Sequence, residues 1–472
     1  MDYIRIEANG QLAFVQSYEF LQIPSQLYGF HNTSTTVASS ITGRELLCFH
    51  GTMDMPEEEK ACACGAKMHI NRRFEMTLRH LPYGNSLTFV KVPYVQFRCR
   101  KCGATKSQHI SFKAPAHMVT VELYNYTRDL LAASDQTNKK IAEITGLHQA
   151  VVKAIDKQRL LEKYTVDGNK FRKPEATTPY LSIDEFKLHD GHKFATHIID
   201  LTTGHILFIA EGKKKNVVYK FIDFVGQDWM KHVKAVACDM NSDFAEAFKE
   251  RCSHLEIVYD RFHIIKNFNE KVVSEIRIDE YKRLLKEGET EAARLLKGSK
   301  YILTSKRATL QKKDKEAIAG KIISKGSELF DTTDYVRSEG YEARYDELIR
   351  QNHLLFTADL IKTKIENAYK PENYINMDAA IGEIVFYCLE TQNPHFEWFA
   401  KMLMNHHDGI VAYARYGITS GKIEGVNRKI KTLRWQGYGY PDDEYFFLKI
   451  MDASRVDYVR NPKSHKFFDL CG

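Results

Sequence analysis

Three acids in this chain sit where an acid needs a reason. Asp184 closes the apolar run Tyr180-Leu-Ser-Ile, and a carboxylate in an apolar strand is costly to bury without a partner. Asp239 ends a second apolar run, Val233-Lys-Ala-Val-Ala-Cys238. Glu424 lies within Thr419-Ser-Gly-Lys-Ile-Glu-Gly-Val-Asn-Arg428. Taken singly, each reads as a solvated acid or a cap at the end of an element. Taken together they could hold divalent cations. Two carboxylates brought close repel each other unless cations sit between them, and two magnesium ions about 4 Å apart would serve. Such ions support in-line displacement at phosphorus. A second set of ligand types stands upstream, Cys62-Ala-Cys64-Gly65 and Cys99-Arg-Lys-Cys102-Gly103. The later pair has the two-residue spacing and trailing glycine of a zinc knuckle, which turns both thiolates onto one ion. The earlier pair has one residue between its cysteines, so Cys48 and His69 stand as reserve ligands.

The acids need elements to position them. Residues 180–213 read as three short strands, the second and third joined by the tight turn Thr202-Thr203-Gly204. Asn216–Val225 is apolar at helical spacing, Val233–Asp239 is a buried strand, 242–251 a helix, and Leu255–Asp260 a strand running into Arg261-Phe-His263. Three antiparallel strands, then helix, strand, helix, strand, is the order of a ribonuclease H-like fold. There the first and fourth strands lie side by side, which would bring Asp184 and Asp239 to one sheet edge. A third acid is then expected from a later helix. At 3.6 residues per turn Glu424, Asn427, Arg428 and Lys431 share one face. That face can offer an acid to a metal while its basic residues grip phosphate; Ile423, Val426 and Ile430 occupy the other. The interval before Glu424 is too long for a bare core. Patterns such as Leu310–Ala319 and Tyr345–Leu355 predict an all-helical insertion over 275–405. Asp260 and His263 are expected near the site as auxiliary groups.

The upstream half suggests DNA reading. Between the cysteine pairs, Arg73–Arg79, a Pro82-Tyr-Gly-Asn85 turn and Leu87–Val92 predict a hairpin that would join the knuckles as a zinc ribbon. Arg72, Arg73, Arg79, Lys91, Arg98, Arg100 and Lys101 surround it. Asn138–Ile155 has a helix-turn-helix pattern, with Ala142 at the close packing point, Gly146 at the turn, and Leu147, Val151 and Ile155 holding the second helix. That helix would present His148, Gln149 and Lys153 to a DNA groove. Phe171–Pro179 reads as a linker, and residues 1–47, with Thr33–Thr36 and Ser39-Ser40, read as a loop or arm.

The chain's 472 residues suffice for two to four domains, and 43% hydrophobic content allows a sizeable core. A net charge of +7 permits a polyanionic partner. No apolar run reaches the roughly eighteen residues of a membrane helix, and the N-terminus lacks a signal-peptide pattern. A cytoplasmic, nucleoid-associated protein with no membrane partner is expected. In that reducing compartment the nine cysteines are metal ligands or core residues rather than disulfides.

The full set of motifs resembles the DDE insertion-sequence transposases of the ISL-three group. The matching stretches are Ser182-Ile-Asp184-Glu185-Phe186, Asp239-Met240, Asp260-Arg-Phe-His263-Ile-Ile-Lys266, Leu295-Leu-Lys-Gly298-Ser-Lys-Tyr301 and Ile423-Glu424-Gly-Val-Asn427-Arg-Lys-Ile430-Lys431 with Gly437-Tyr-Gly439-Tyr440. The resemblance implies a catalytic triad of Asp184, Asp239 and Glu424 holding two magnesium or manganese ions, and a structural zinc on Cys62, Cys64, Cys99 and Cys102. It implies binding of double-stranded DNA, both element ends and target, by a homodimer, followed by metal-dependent strand cleavage and strand transfer. His148, Gln149, Lys153, Asn427, Arg428 and Lys431 are the expected DNA contacts. The chain departs from the family pattern in the one-residue first knuckle and in Ser420, where Asn is common. The expected architecture is an N-terminal arm (1–47), a zinc ribbon (48–112), a helix-turn-helix domain (113–172), a ribonuclease H-like α/β domain (173–274 and 406–458) interrupted by the helical insertion (275–405), and a tail (459–472). Two other classes share the core: a DNA-binding regulator without turnover, and a structure-specific nuclease.

Overall fold

A computed structural model describes residues 4–8, 11–18, 27–39, 44–133, 136–191, 193–240, 242–325, 333–336 and 338–455; the expected tail at 459–472 lies outside them. It is a mixed α/β protein rich in helices. The chain forms two compact units, one of residues 1–172 with 432–472, the other of residues 173–431.

The first unit is built on a seven-stranded sheet. Its strands are β1 (Ile4–Ala8), β2 (Gln11–Tyr18), β3 (Phe30–Ser39), β4 (Glu45–Met53), β5 (Met68–Tyr83), β6 (Ser86–Cys99) and β7 (Thr105–Ser107). The order is β1-β2-β3-β4-β6-β5, with β7 also on β6. The expected hairpin is present and long, β5 pairing β6 from Met68 opposite Cys99 to Tyr83 opposite Ser86. Among the described residues of 1–47, strands stand where an arm or loop was expected. Thr33–Thr36 runs inside β3, paired with β4, because β-branched threonines suit a pleated sheet even when their polarity suggests a loop.

Three helices follow, α1 (Val121–Ala133), α2 (Asn138–Thr145) and α3 (Gln149–Tyr164), around Leu123, Ile141, Leu147, Val152 and Ile155. Gly146 ends α2 in the left-handed region at φ 67°, and any Cβ there would lie 2.4 Å from the Arg79 guanidinium. Arg79, expected to face DNA, instead donates to the carbonyls of Thr145 and Gly146. A tiny ribbon, β8 (Thr165–Val166) with β9 (Lys170–Phe171), closes this part.

The C-terminal helix Asp443–Ala453 belongs with α3, although it was expected in the same domain as the Glu424 helix. The reason is a buried ionic seam. Asp156 accepts from Arg159, Lys449 and the Tyr445 hydroxyl, and Asp452 accepts from Arg159, Lys163 and Tyr164. Charges this deep persist only when paired.

The second unit opens with β10 (Tyr180–His189), β11 (Lys193–Asp200) and β12 (Ile206–Glu211), then α4 (Lys215–Val225), the short α5 (Gln227–Met230), β13 (Ala235–Cys238), α6 (Ser242–Arg251), β14 (Glu256–Tyr259) and α7 (Arg261–Phe268). The sheet order is β12-β11-β10-β13-β14. The first three strands are antiparallel, while β13 lies parallel to both β10 and β14. Val218, Phe221, Phe244 and Phe248 from α4 and α6 pack into one core with Leu181, Ile183 and Ile198.

Helices dominate from Ser274 to Tyr416, but the expectation of an all-helical segment is corrected. Ile322–Lys325 pairs antiparallel with Thr333–Val336, both rich in β-branched residues. The helix expected across Tyr345–Leu355 is two helices, Tyr341–Gln351 and His353–Ala368. Asn352 divides them by accepting from the Leu355 N–H as a cap and donating to Glu280. Gly409 presses the later helix His407–Tyr416 onto β14, since a Cβ there would lie 2.5 Å from the Tyr259 ring.

Candidate active site and cysteine cluster

The parallel register of β10 and β13 sets the first two acids. Ser182 is opposite Ala237, so two residues further on Asp184 and Asp239 come level at one sheet edge. Asp184 is half-buried, and its oxygens accept from the Glu185 N–H at 2.8 Å and the Asn427 side-chain amide at 2.6 Å. Asp239 accepts from the Met240 N–H at 2.6 Å and lies 3.2 Å from Nδ1 of His263. Burial raises the Asp184 pKa above the usual carboxylate range, and Asp239 pushes the same way; the Glu185 N–H, Asn427 and His263 oppose them. The neighbouring Glu185 is raised for similar reasons, burial first and then Asp184 and Asp239.

Glu424 stands on the helix Gly421–Gln436, one turn before Asn427. That helix is fixed to the sheet at three points. Asp260 caps α7 through the Phe262 N–H and accepts from both the N–H and hydroxyl of Ser420. Lys422 donates to the carbonyls of Leu201 and Thr202 at 2.7 and 2.6 Å. Asn427 reaches Asp184. Ile423, Val426 and Ile430 form the buried face, as their spacing predicts. Glu424 is exposed and lies 3.9 Å from Arg428. Its carboxylate does not close onto the two aspartates: among the described residues, only four cysteines bring three or more acid, histidine or thiol ligand atoms within 4.8 Å of one another. Asp260, expected near the chemistry, accepts from Phe262 on α7 and from Ser420, four residues before Glu424. His263 is the auxiliary residue that reaches an acid.

Three residues at this edge were not singled out from sequence. Glu185 follows Asp184 directly. His197 is opposite Asp184 across the β10–β11 pair, fully buried, its pKa pushed down to about 3 by that burial; counting outward from the Asp190-Gly191 turn could have found it. His406 packs edge-on against Tyr259 at 5.0 Å, and its pKa is lowered by burial while Asp239 opposes the shift. No local pattern marks it.

The cysteines converge as expected. Cys62, Cys64, Cys99 and Cys102 hold all four sulfurs within 4.8 Å, with Cys62 to Cys102 at 3.5 Å and Cys64 to Cys99 at 3.6 Å. A tetrahedral zinc with bonds of about 2.3 Å separates its sulfurs by roughly 3.8 Å, so the donor set fits that ion. The one-residue first knuckle still turns, because Gly65 adopts φ 79° and its N–H bonds the Cys62 carbonyl, as Gly103 does to Cys99. Cys48 and His69 are not members.

Of the expected DNA contacts on α3, Gln149 is exposed, the His148 ring caps the helix by accepting from the Ala150 N–H, and Lys153 pairs with Asp442 at 3.2 Å. Arg428 and Lys431 are exposed.

The sequence profile of the ISL-three transposase family matches residues 181–450, a span holding all three acids. The chain belongs to that family of DDE transposases. A transposase for insertion sequence element IS1001 from Bordetella parapertussis is 25% identical over 392 residues, 83% of this chain and 87% of that one. A transposase for element IS1557 from Mycobacterium tuberculosis is 21% identical over 278 residues, 55% of this chain and 56% of its own length. Within the family span, Ser420 supplies two donors to Asp260. Among the described residues no helix is long and apolar enough to cross a membrane.

Proposed function

We propose that this family member binds the terminal inverted repeats of an insertion sequence and cleaves and transfers DNA strands at a carboxylate site made of Asp184, Asp239 and Glu424. The observation that carries the reading is the tie between Asp184 and the helix bearing Glu424 through Asn427. It supports a ribonuclease H-like domain whose third acid arrives from a distant helix after a mainly helical insertion.

Hard carboxylate oxygens suit magnesium or manganese, and crowded negative charge at Asp184 and Asp239 fits a cation there. Bound divalent ions would activate the attacking oxygen and stabilise the leaving one. The chain's own residues do the rest. Asn427 and the Glu185 N–H fix the Asp184 carboxylate, and His263 fixes Asp239. Arg428 and Lys431, exposed beside Glu424, would grip phosphates around the scissile bond. Glu424 would draw in toward the aspartates once cations relieve their mutual repulsion. Upstream, a zinc on the four cysteines would hold the β5–β6 hairpin end, and exposed Arg98, Arg100, Lys101, His148 and Gln149 would contact DNA. Lys153 is the weakest of these candidates because Asp442 already engages it. Action as a dimer on paired element ends, in the cytoplasm near the nucleoid, completes the reading.

The test is strand nicking of a duplex carrying the element's own end, with magnesium, by wild type and Asp184→Asn. The variant should bind the end normally and lose cleavage. Cleavage at the wild-type rate would remove Asp184 from the chemistry.

A further inference from the structure

The helix that carries Glu424 ends at Gln436, and the chain then turns through Gly437-Tyr438-Gly439-Tyr440 before the C-terminal helix. This turn lines a cavity of about 780 Å³ together with the start of α2 and residues of α3. That volume lies within the roughly 300–1,000 Å³ of sites that enclose small organic ligands. Trp435 and Tyr438 are two of its lining residues, with 78% and 99% of their surface exposed.

The turn is built to hold Tyr438 outward. Its backbone is left-handed at φ 50°, a conformation that Gly or Asn adopts with less strain. Gly437 admits no side chain, because a Cβ would lie 2.6 Å from the Tyr440 ring, and Tyr440 is itself stacked on Phe446 at 4.6 Å. One tyrosine of the motif therefore anchors the turn and the other is displayed under strain. Such strain at a bare aromatic marks a residue kept for contact rather than for packing.

The lining chemistry selects the contact. Gln136, Gln149 and Gln436 bring side-chain amides, each both donor and acceptor. Of the three lysines in the lining, Lys153 and Lys449 are committed to Asp442 and Asp156, and Lys139 is exposed at the rim. Aromatic faces with amide edges, and two of the three lysines already paired with acids, suit a flat, uncharged, hydrogen-bonding ring better than a phosphate. We propose that this cavity receives an unpaired nucleobase of the bound DNA, stacked on Trp435 and Tyr438 with its edge met by the glutamine amides. The inference rests on the DNA-acting reading above and adds a site to it. A base lifted from the duplex at this turn gives the protein a grip on distorted or frayed DNA that a paired duplex does not offer.

The experiment uses the full chain and two duplexes of one sequence, the first fully paired and the second carrying a single bulged thymine. Wild type should bind the bulged duplex about fivefold or more tighter, the range that stacking of one base on an aromatic ring gives. Trp435→Ala and Tyr438→Ala should each reduce that preference while leaving affinity for the paired duplex unchanged, and Trp435→Phe should keep most of it. Tryptophan fluorescence of wild type should be quenched by the bulged duplex, and the quench should vanish in Trp435→Phe, which retains Trp229 and Trp398. Equal affinity of wild type for the two duplexes, or a preference that survives Trp435→Ala, overturns the base site and leaves the DNA-acting reading standing. Failure to bind either duplex overturns both.

Discussion

The side-chain amide of Asn427 donates a 2.6 Å hydrogen bond to the carboxylate of Asp184, joining residues 243 apart in sequence. This bond aligns the Glu424 helix with the sheet edge, so its loss should appear in chemistry before it appears in folding. Asn427→Ala should lower magnesium-dependent nicking about 10- to 100-fold, the usual cost of removing a group that orients a metal-binding carboxylate. Single-turnover cleavage on the element's end measures it. Unchanged cleavage would make the bond a packing detail.

Asp184 also predicts a pH dependence. Its pKa is raised in the folded chain, by burial first and by Asp239 as well. The folded state therefore binds this proton more tightly than the unfolded state, and stability is lost as pH rises through the folded pKa. Asp184→Asn removes that loss. In chelator, the variant should melt above wild type at neutral pH, with the gap closing as pH falls below the ordinary carboxylate value of about 3.9. Calorimetry across this window decides it; a lower melting temperature for the variant at neutral pH contradicts the assignment.

Asp260 predicts stability rather than catalysis. It is 6% exposed and accepts from Phe262 and twice from Ser420. Asp260→Ala removes a helix cap and strands buried donors, at a combined cost of about 2–4 kcal/mol. Urea unfolding should register it as a fall in midpoint. Ser420→Ala should cost less, since the backbone N–H still has its acceptor.

The ionic seam beside α3 predicts a larger effect. Asp156 is fully buried, and Lys449 and Arg159 beside it are 7% exposed each. Asp156→Ala leaves Lys449 without its carboxylate partner and Arg159 with Asp452 alone, and should cost about 3–5 kcal/mol. The double change Asp156→Leu with Lys449→Met should recover much of this, which a loss due to cavity alone would not explain.

The cysteines predict a metal. Purified chain should carry about one zinc on Cys62, Cys64, Cys99 and Cys102. Cys99→Ser should release it and lower the melting temperature, while Cys48→Ser should change neither. Metal analysis of the two variants distinguishes them, and a zinc-free wild type grown with zinc supplied would refute the site.

Local pattern in the sequence determined much of this. Alternation and turn glycines specify β10–β12 and the β5–β6 hairpin, because period and turn chemistry are properties of neighbours in the chain. Cysteine spacing located the four-sulfur cluster, and 3.6-residue periodicity gave the buried face of the Glu424 helix. Tertiary structure alone decided three things. Thr33–Thr36 became a strand because β4 pairs with it, a contact no local rule encodes. The helix Asp443–Ala453 went to α3 because Asp156 on α3, buried only when paired, needed Lys449 and Tyr445 of that helix, and its Asp452 needed Arg159, Lys163 and Tyr164 of α3. The company of Asp184 was settled by register and long-range packing: His197 across the strand pair, Asp239 along the parallel neighbour, and Asn427 from a helix 243 residues further along the chain. Such pairings carry a loop-closure cost that only cooperative burial offsets, which is why they are fixed by the whole chain and not by any stretch of it.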